Sequence, residues 1–528
     1  MTHDKTTRVF RKLTAKEESL LYNTSEQPQV EYPAVVLPEA SAEVASVDEQ
    51  LRLKDLPEVT SKEGAGGLRG VFGIRRKVAV RRIQVGLDFG TSATKVMYRE
   101  LAVAERKVRL LRFDHGLSEY PDFCLPSLVT FDRNGQLFLG DAAAVKNKTL
   151  GWGSGLSRLK MLVAGAVDER YLDSAWRQRF DEHIRLALGD ADACTPDALA
   201  ATYLAAVMRR VRRQLQREYG GDSLDLVFNT CVPVDQSERT PVVKAFERIL
   251  SVALELESQE SGNSTATAWM ERAMRRLPEV VYDPADDQQR IFLMPEAVAT
   301  AAGYVVSVRR KTGIHAVVDI GAGTTDVSIC LLTLARVGGA TTEWYAARSI
   351  PMGAARIEAM LASALSRSRG SASQEVVNQA MANDPRTADE CGSLVVDELT
   401  RIWNGTAKAW ADAYDHDRRE SAWKQNAVTI FITGGGAQIP AARRVFARST
   451  MSNWGPHPCS IIPTPEQYDA TGSAPFNRLS VAFGLATPLP ELGQHILPSN
   501  STDHTPAKAP VREWRQDGDQ LLPRWGWT

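Results

Sequence analysis

VVDIGAGTTDVSIC, residues 317–330, is the stretch on which the fold turns. It runs an apolar strand into an aspartate, a glycine turn and two threonines, then leaves along a second apolar strand. The same plan stands at residues 85–98, VGLDFGTSATKVMY. Each is accompanied at a distance by a helical run of small residues, EAVATAAGYV at 296–305 and LSVAFGLAT at 479–487. A duplicated strand–turn–strand unit with such a helix predicts two similar lobes facing each other across a cleft.

A tight turn between two strands aims successive backbone N–H groups into one concavity, which suits an anion. Gly90 lets the backbone approach a phosphate closely, and Thr91 and Ser92 add hydroxyl donors. Gly321, Gly323, Thr324 and Thr325 equip the second turn in the same way. Each leading strand ends on a carboxylate, Asp88 and Asp319. Two carboxylates beside phosphates repel them unless a hard cation lies between, which implies Mg²⁺ with several retained waters. Asp326 either joins this pair or braces the turn. A third cluster, VTIFITGGGAQIP at 428–440, takes an apolar strand into Gly434, Gly435 and Gly436 before Pro440 opens a helix. Bare backbone there leaves room for a base or a ribose.

The rest of the chain reads as α/β, with short β-branched runs alternating with longer amphipathic patterns. Strands are predicted at 83–89, 95–101, 108–113, 226–233, 316–323, 326–332 and 428–436. Helices are predicted at 197–220, with Asp197 as N-cap and Gly220 at its end, and at 295–310, 405–424 and 439–449. The predicted division is a flexible tail over 1–80, lobe I over 81–312 and lobe II over 313–474. A helix within 475–490 then returns to lobe I, and 491–528 form a second tail.

The chain has 528 residues, 24% of them charged, with a formal net charge of -1, so no global bias toward nucleic acid or acidic lipid exists. The basic run Arg75, Arg76, Lys77, Arg81 and Arg82 reads as a solvated edge. Six cysteines without a C-x-x-C pair suit buried thiols in a reducing compartment. No apolar run approaches the roughly 20 residues of a membrane span, and MTHDKTTRVFRKL has no secretory apolar core. The expected location is cytoplasmic. Trp514, Trp525 and Trp527 near the C-terminus read either as docked on the protein's own surface or as an anchor for another protein.

Taken together, GLDFGTSATKV, DIGAGTTDVSI, PEAVATAAGY, TGGGAQIP and SVAFGLAT resemble, in family order, the motifs of the actin-like ATPase superfamily. The nearest likeness within it is to the nucleotide-binding domain of heat shock protein 70 (DnaK type). LPSLVTFDRNGQLFLGDAAAVKN at 125–147 and SRLKMLV at 157–163 carry that narrower resemblance. It implies a two-lobed fold of duplicated ribonuclease-H-like halves that binds ATP or ADP with Mg²⁺ at Asp88 and Asp319. It implies slow ATP hydrolysis, with Lys160 stabilising charge, Glu296 helping to place water and Thr324 contacting the γ-phosphate. Val232 and Pro233 match the pair that transmits nucleotide state in that family. The implied output is a conformational switch acting on a protein partner.

Several residues depart from the heat-shock pattern. Gln438 stands where an arginine usually stacks on adenine, and Arg478 stands where the second connecting helix usually begins with an acid. Lys95 resembles the actin and plasmid-segregation branch, where it implies a β-phosphate contact. Residues 257–290 look inserted before Glu296. The stretch after residue 487 is too short to form the peptide-gripping β-sandwich of the chaperones. The alternatives are a filament-forming ATPase of cell-division or plasmid-segregation type and a small-molecule kinase of the same fold.

Overall fold

In the computed structural model, residues 80–497 are described, except 151–154, 169–173, 221, 233–239, 260–264, 283–289, 335–338, 370–373, 383–389, 417–422, 424–427, 449–456 and 470–473. All belong to the unit Val78–Thr528. The expected N-terminal tail up to residue 79, Pro233 and the three C-terminal tryptophans lie outside the described residues. Of the basic run, Arg81 pairs with Asp222 and Glu100 and Arg82 with Asp225, at 2.6, 2.8 and 2.9 Å.

The fold is mixed α/β. The strands are β1 Val80–Phe89, β2 Ala93–Glu100, β3 Arg109–Leu110, β4 Leu125–Pro126, β5 Val129–Phe131, β6 Leu137–Leu139, β7 Ser223–Val232 and β8 Ile291–Pro295. They continue as β9 Gly313–Ile320, β10 Thr325–Leu334, β11 Ala340–Ile350, β12 Thr429–Thr433, β13 Cys459–Ile461 and β14 Gln494–Ile496. One sheet has the order β3-β2-β1-β7-β8 with β4 also beside β2; the other runs β13-β12-β9-β10-β11-β14; β5 and β6 pair separately. In the first, β1, β2 and β3 are antiparallel neighbours, and β7 and β8 continue parallel to β1. In the second, β9, β10 and β11 are antiparallel neighbours, and β12 and β13 continue parallel to β9. The echo in sequence therefore extends to order and direction over five strands of each sheet.

Period-two alternation decides what each sheet presents to the other half. Ile83, Val85, Leu87 and Phe89 enter a core under the first sheet, while Ile314, Ala316, Val318 and Ile320 enter one under the second. A third core contains Met97, Val317 and Phe431 together with the helices Glu296–Val306 and Ser480–Ala486, so it joins the two sheets. On β1, Gln84 and Gly86 face the latter helix. The Gln84 amide donates to the Leu485 carbonyl at 2.9 Å, and a Cβ on Gly86 would stand 2.2 Å from the Ala482 carbonyl oxygen. Asp88 has the same parity as these two, and Asp319 the same parity as Val317. Strand alternation thus turns both carboxylates toward the middle.

The two small-residue helices cross closely, as their composition predicts. At the crossing, a Cβ on Gly484 would lie 2.0 Å from the Ala299 carbonyl oxygen. Backbone on backbone leaves nothing that can yield. Gly484→Val is expected to cost about 3 kcal/mol or more, read as a loss of midpoint in urea denaturation; a wild-type midpoint would refute this packing.

Three expectations here need correction. The long helix spans Pro196–Tyr219 and its N-cap is Thr195, whose hydroxyl accepts from Ala198 N, rather than Asp197; Gly220 does end it, at φ 52°. Pro196 occupies the first helical turn, where proline's missing N–H costs nothing. The helix expected over 295–310 ends at Val306. Within the segment 257–290, Trp269, Met270 and Ala273 of the helix Ala266–Arg276 are buried in the first core. The chain also does not leave the fold at residue 491: Glu491 receives Arg99 through two bonds of 2.9 and 2.8 Å, and β14 pairs with β11.

His495 on β14 stacks on Trp344, with ring centroids 6.4 Å apart, and neither ring nitrogen has a hydrogen-bond partner among the described residues. Burial lowers its pKa to about 4. The unfolded chain binds this proton below about 6.5, so the stability it contributes is complete above that pH and is lost as pH falls toward 4. Stability is expected to be about 2 kcal/mol lower at pH 5 than at pH 8 from this group alone. His495→Phe should remove that share in urea titrations followed by tryptophan fluorescence. An unchanged pH dependence would refute the assignment.

Candidate functional site

The first turn is built on register. β1 and β2 place Asp88 opposite Lys95, and the ammonium donates to Asp88 Oδ2 at 2.7 Å. Burial acts to lower the Lys95 pKa, but the negative groups around it, Asp88 first, together make the net shift upward. Gly90 N–H donates to the Asp88 carbonyl at 3.0 Å, and a Cβ there would stand 2.5 Å from the Ala93 carbonyl oxygen. Lys95 is thus paired with Asp88 at the mouth of this turn.

Thr91 links this turn to the lysine segment, since its carbonyl accepts from Arg158 N–H at 3.3 Å. Arg158 has φ 59°, the one positive value outside glycine among the described residues, and it precedes the helix Leu159–Val167. A non-glycine residue there costs about 1 kcal/mol or more. Past this bend Lys160 turns inward, 4% exposed, and donates to Glu296 Oε2 at 2.7 Å and Cys231 Sγ at 3.6 Å. Burial opposes the charge, but the carboxylates of Glu296 and Asp88 favour it and the Lys160 pKa is raised. Burial pushes the Cys231 thiol well up, so it is an uncharged acceptor. Glu296 opens the helix Glu296–Val306 directly after β8, which brings it to the end of the parallel strands.

In the second turn, Asp319 on β9 and Asp326 on β10 are register partners. Burial, then Glu296 and Asp88, push the Asp319 carboxyl up to about 7, against the pull of Lys95 and Lys160. Asp326 is raised well above the usual range by burial and then by Glu296 and Asp319. The Thr324 hydroxyl donates to Asp326 Oδ2 at 3.1 Å. Thr325 is corrected to a structural role: it is fully buried and its hydroxyl donates to the Met352 carbonyl at 2.8 Å. Gly321 and Ala322 accept from Ala354 and Ala355 N–H, both at 2.9 Å, at the start of the helix Ala354–Arg369. The two turns meet, for a Cβ on Gly323 would stand 2.9 Å from Thr91 Cγ2.

The three glycines after β12 divide the work. Cβ atoms at Gly434 and Gly436 would strike Asp319 Oδ1 at 2.2 Å and Ile320 Cγ2 at 2.3 Å, and Gly434 has φ 82°. These two serve packing against β9, contrary to the expectation of room for a base. Gly435 is exposed with open space beside it, and Gln438 is exposed close by.

Asp88, Glu296, Asp319 and Asp326 therefore share the site with the ammonium groups of Lys95 and Lys160. A cation would relieve this surplus of carboxylate and the upward pull on Asp319. Among the described residues, no group of three or more His, Cys, Asp or Glu is set to hold a metal directly. The donor set fits a cation held through its own waters. Sequence reading did not single out the contact of Cys231 with Lys160 or the place of Asn477 beside Gly434; strand parity on β7 is a signal for the former. Two open surface hollows, one beside Arg112 and Tyr120 and one along the helix Ser174–Leu188, contain none of these groups.

No family model matches the chain, and no curated protein matches it. No disulfide joins its cysteines, and no described helix is long and apolar enough to cross a membrane.

Proposed function

We propose that this chain is an ATP-binding and ATP-hydrolysing protein of the two-lobed actin/heat-shock-protein-70 fold, working in the cytoplasm as a nucleotide-dependent switch on a protein partner. The observation that carries this reading is the repeated five-strand sheet order, with the two equivalent turns in contact at Thr91 and Gly323. The turns would hold the phosphates through the backbone around Gly90–Ser92 and Gly321–Thr324, with adenosine toward Gly435 and Gln438. When bound, Mg²⁺ supplies neutralisation of phosphate charge, with Asp88 and Asp319 as its holders through water. Lys160, desolvated and protonated, places a fixed positive charge where negative charge develops. Glu296, held by Lys160 at 2.7 Å, orients the attacking water. Thr324 offers its hydroxyl to the γ-phosphate. The helix crossing at Ala299 and Gly484 is the hinge about which the lobes would close on ATP.

Calorimetry with ATP and ADP, with and without Mg²⁺, tests the reading, followed by phosphate release. Absence of nucleotide binding would sink it. Nucleotide-dependent pelleting would move the assignment to the filament-forming class, and transfer of phosphate to acetate or a sugar would move it to the kinases.

A further inference from the structure

Two cationic side chains of the site are already neutralised, Lys95 by Asp88 and Lys160 by Glu296. Arg478 is a further cation, on the segment that follows the third glycine cluster in space. Asn477, beside it, accepts at its carbonyl from Gly434 N at 2.8 Å and Thr433 Oγ1 at 2.6 Å. Its amide returns a bond to the Gly434 carbonyl at 3.1 Å. The guanidinium lies 5.2 Å from the centre of the Phe123 ring and donates from Nη2 to Cys124 Sγ at 3.6 Å. Cys124 directly precedes β4, which pairs with Ala93 and Thr94 just past the first turn. Its thiol, raised by burial, feels the charges of Lys95 and Arg478 together, and that of Asp88. Arg478 thus spans from the third glycine cluster to the first turn.

No described carboxylate neutralises it there. No carboxylate among the described residues lies within ion-pair distance of Arg478, and its Nε is buried without a hydrogen-bond partner. A guanidinium carries five N–H donors in a planar fork suited to phosphate oxygens. A thiol and a ring face occupy one edge and leave the charge in place. We infer that Arg478 is a phosphate-contact residue, receiving the terminal phosphate of a nucleotide held between the two turns. This rests on the nucleotide reading proposed above.

The test compares wild type with Arg478→Met, which keeps the length against Phe123, and with Arg478→Lys, which keeps the charge but not the fork. Calorimetry would use Mg²⁺-ATP, adenosine and inorganic pyrophosphate, after thermal melts confirm folding. The expected result is an ATP affinity about 10- to 100-fold weaker in Arg478→Met, a smaller loss in Arg478→Lys, and unchanged adenosine binding. Equal losses for ATP and adenosine would mean a structural role and overturn the proposal. Unchanged ATP affinity in Arg478→Met would overturn it while leaving the nucleotide reading intact. If wild type binds pyrophosphate but not ATP, and Arg478→Met binds neither, the anion contact stands and the nucleotide reading falls. A wild type that binds neither overturns both. If Arg478→Met does not fold, Arg478→Lys decides by its ATP-to-adenosine ratio.

Discussion

Lys160→Met is expected to lower ATP turnover by about 10²- to 10³-fold, the usual loss when one preorganised charge is removed from a reacting centre. The same change should also destabilise the protein. Glu296, with only 12% of its side chain exposed, would lose the ammonium 2.7 Å away. Breaking such a pair from one side costs about 3–5 kcal/mol. Activity loss alone would therefore be ambiguous. The double change Lys160→Met with Glu296→Gln separates the two effects, since it removes the stranded charge along with its partner. Urea stability should recover in large part, whereas phosphate release should stay at the level of the single variant. If turnover recovers with stability, Lys160 is a structural cation and the catalytic role fails.

Asp319→Asn is expected to act in opposite directions on binding and on stability. Affinity for Mg²⁺-ATP should fall by about 10- to 100-fold, as one charged holder is lost. Stability without nucleotide should not fall, and should rise at pH 8. The reason is that burial, Glu296 and Asp88 all disfavour the Asp319 carboxylate in the folded state. A group raised on folding releases its proton more readily when unfolded, so at pH above about 7 the native state carries the full cost of ionising it. Asparagine keeps the shape that fits beneath Gly434 and removes that cost. Calorimetry gives the first half of the prediction and urea denaturation the second. Loss of both stability and binding would mark Asp319 as a packing residue, and retention of Mg²⁺-dependent binding would remove it from the metal site.

Much of the molecule was legible because its signals are local. The glycine turns at Gly90 and Gly321, the carboxylates ahead of them and the small-residue helices each sit within a few residues of sequence. Turn chemistry and strand period need no distant partner to be recognised. Where reading failed, a distant partner decided. Thr325 and Thr324 are adjacent and look equivalent, yet Thr325 is tied to Met352, 27 residues away, while Thr324 faces Asp326. Gly434 and Gly436 look like room for a ligand until β9 is set against them. The helix cap is the exception, a local one: Thr195, two residues before Asp197, accepts from Ala198 N and takes the cap.

By itself, then, the sequence determined an α/β chain with two matching hairpins, the carboxylates that lead into them and the close crossing of two helices at glycine and alanine. Those follow from steric rules that act over a few bonds. Tertiary structure alone decided which charges are already satisfied. Lys160 meets Glu296 across 136 positions, whereas Lys95 meets Asp88 across 7 and Arg478 meets no described carboxylate. Pairing of buried charge depends on distance and desolvation in three dimensions, and neither quantity is written in the order of residues.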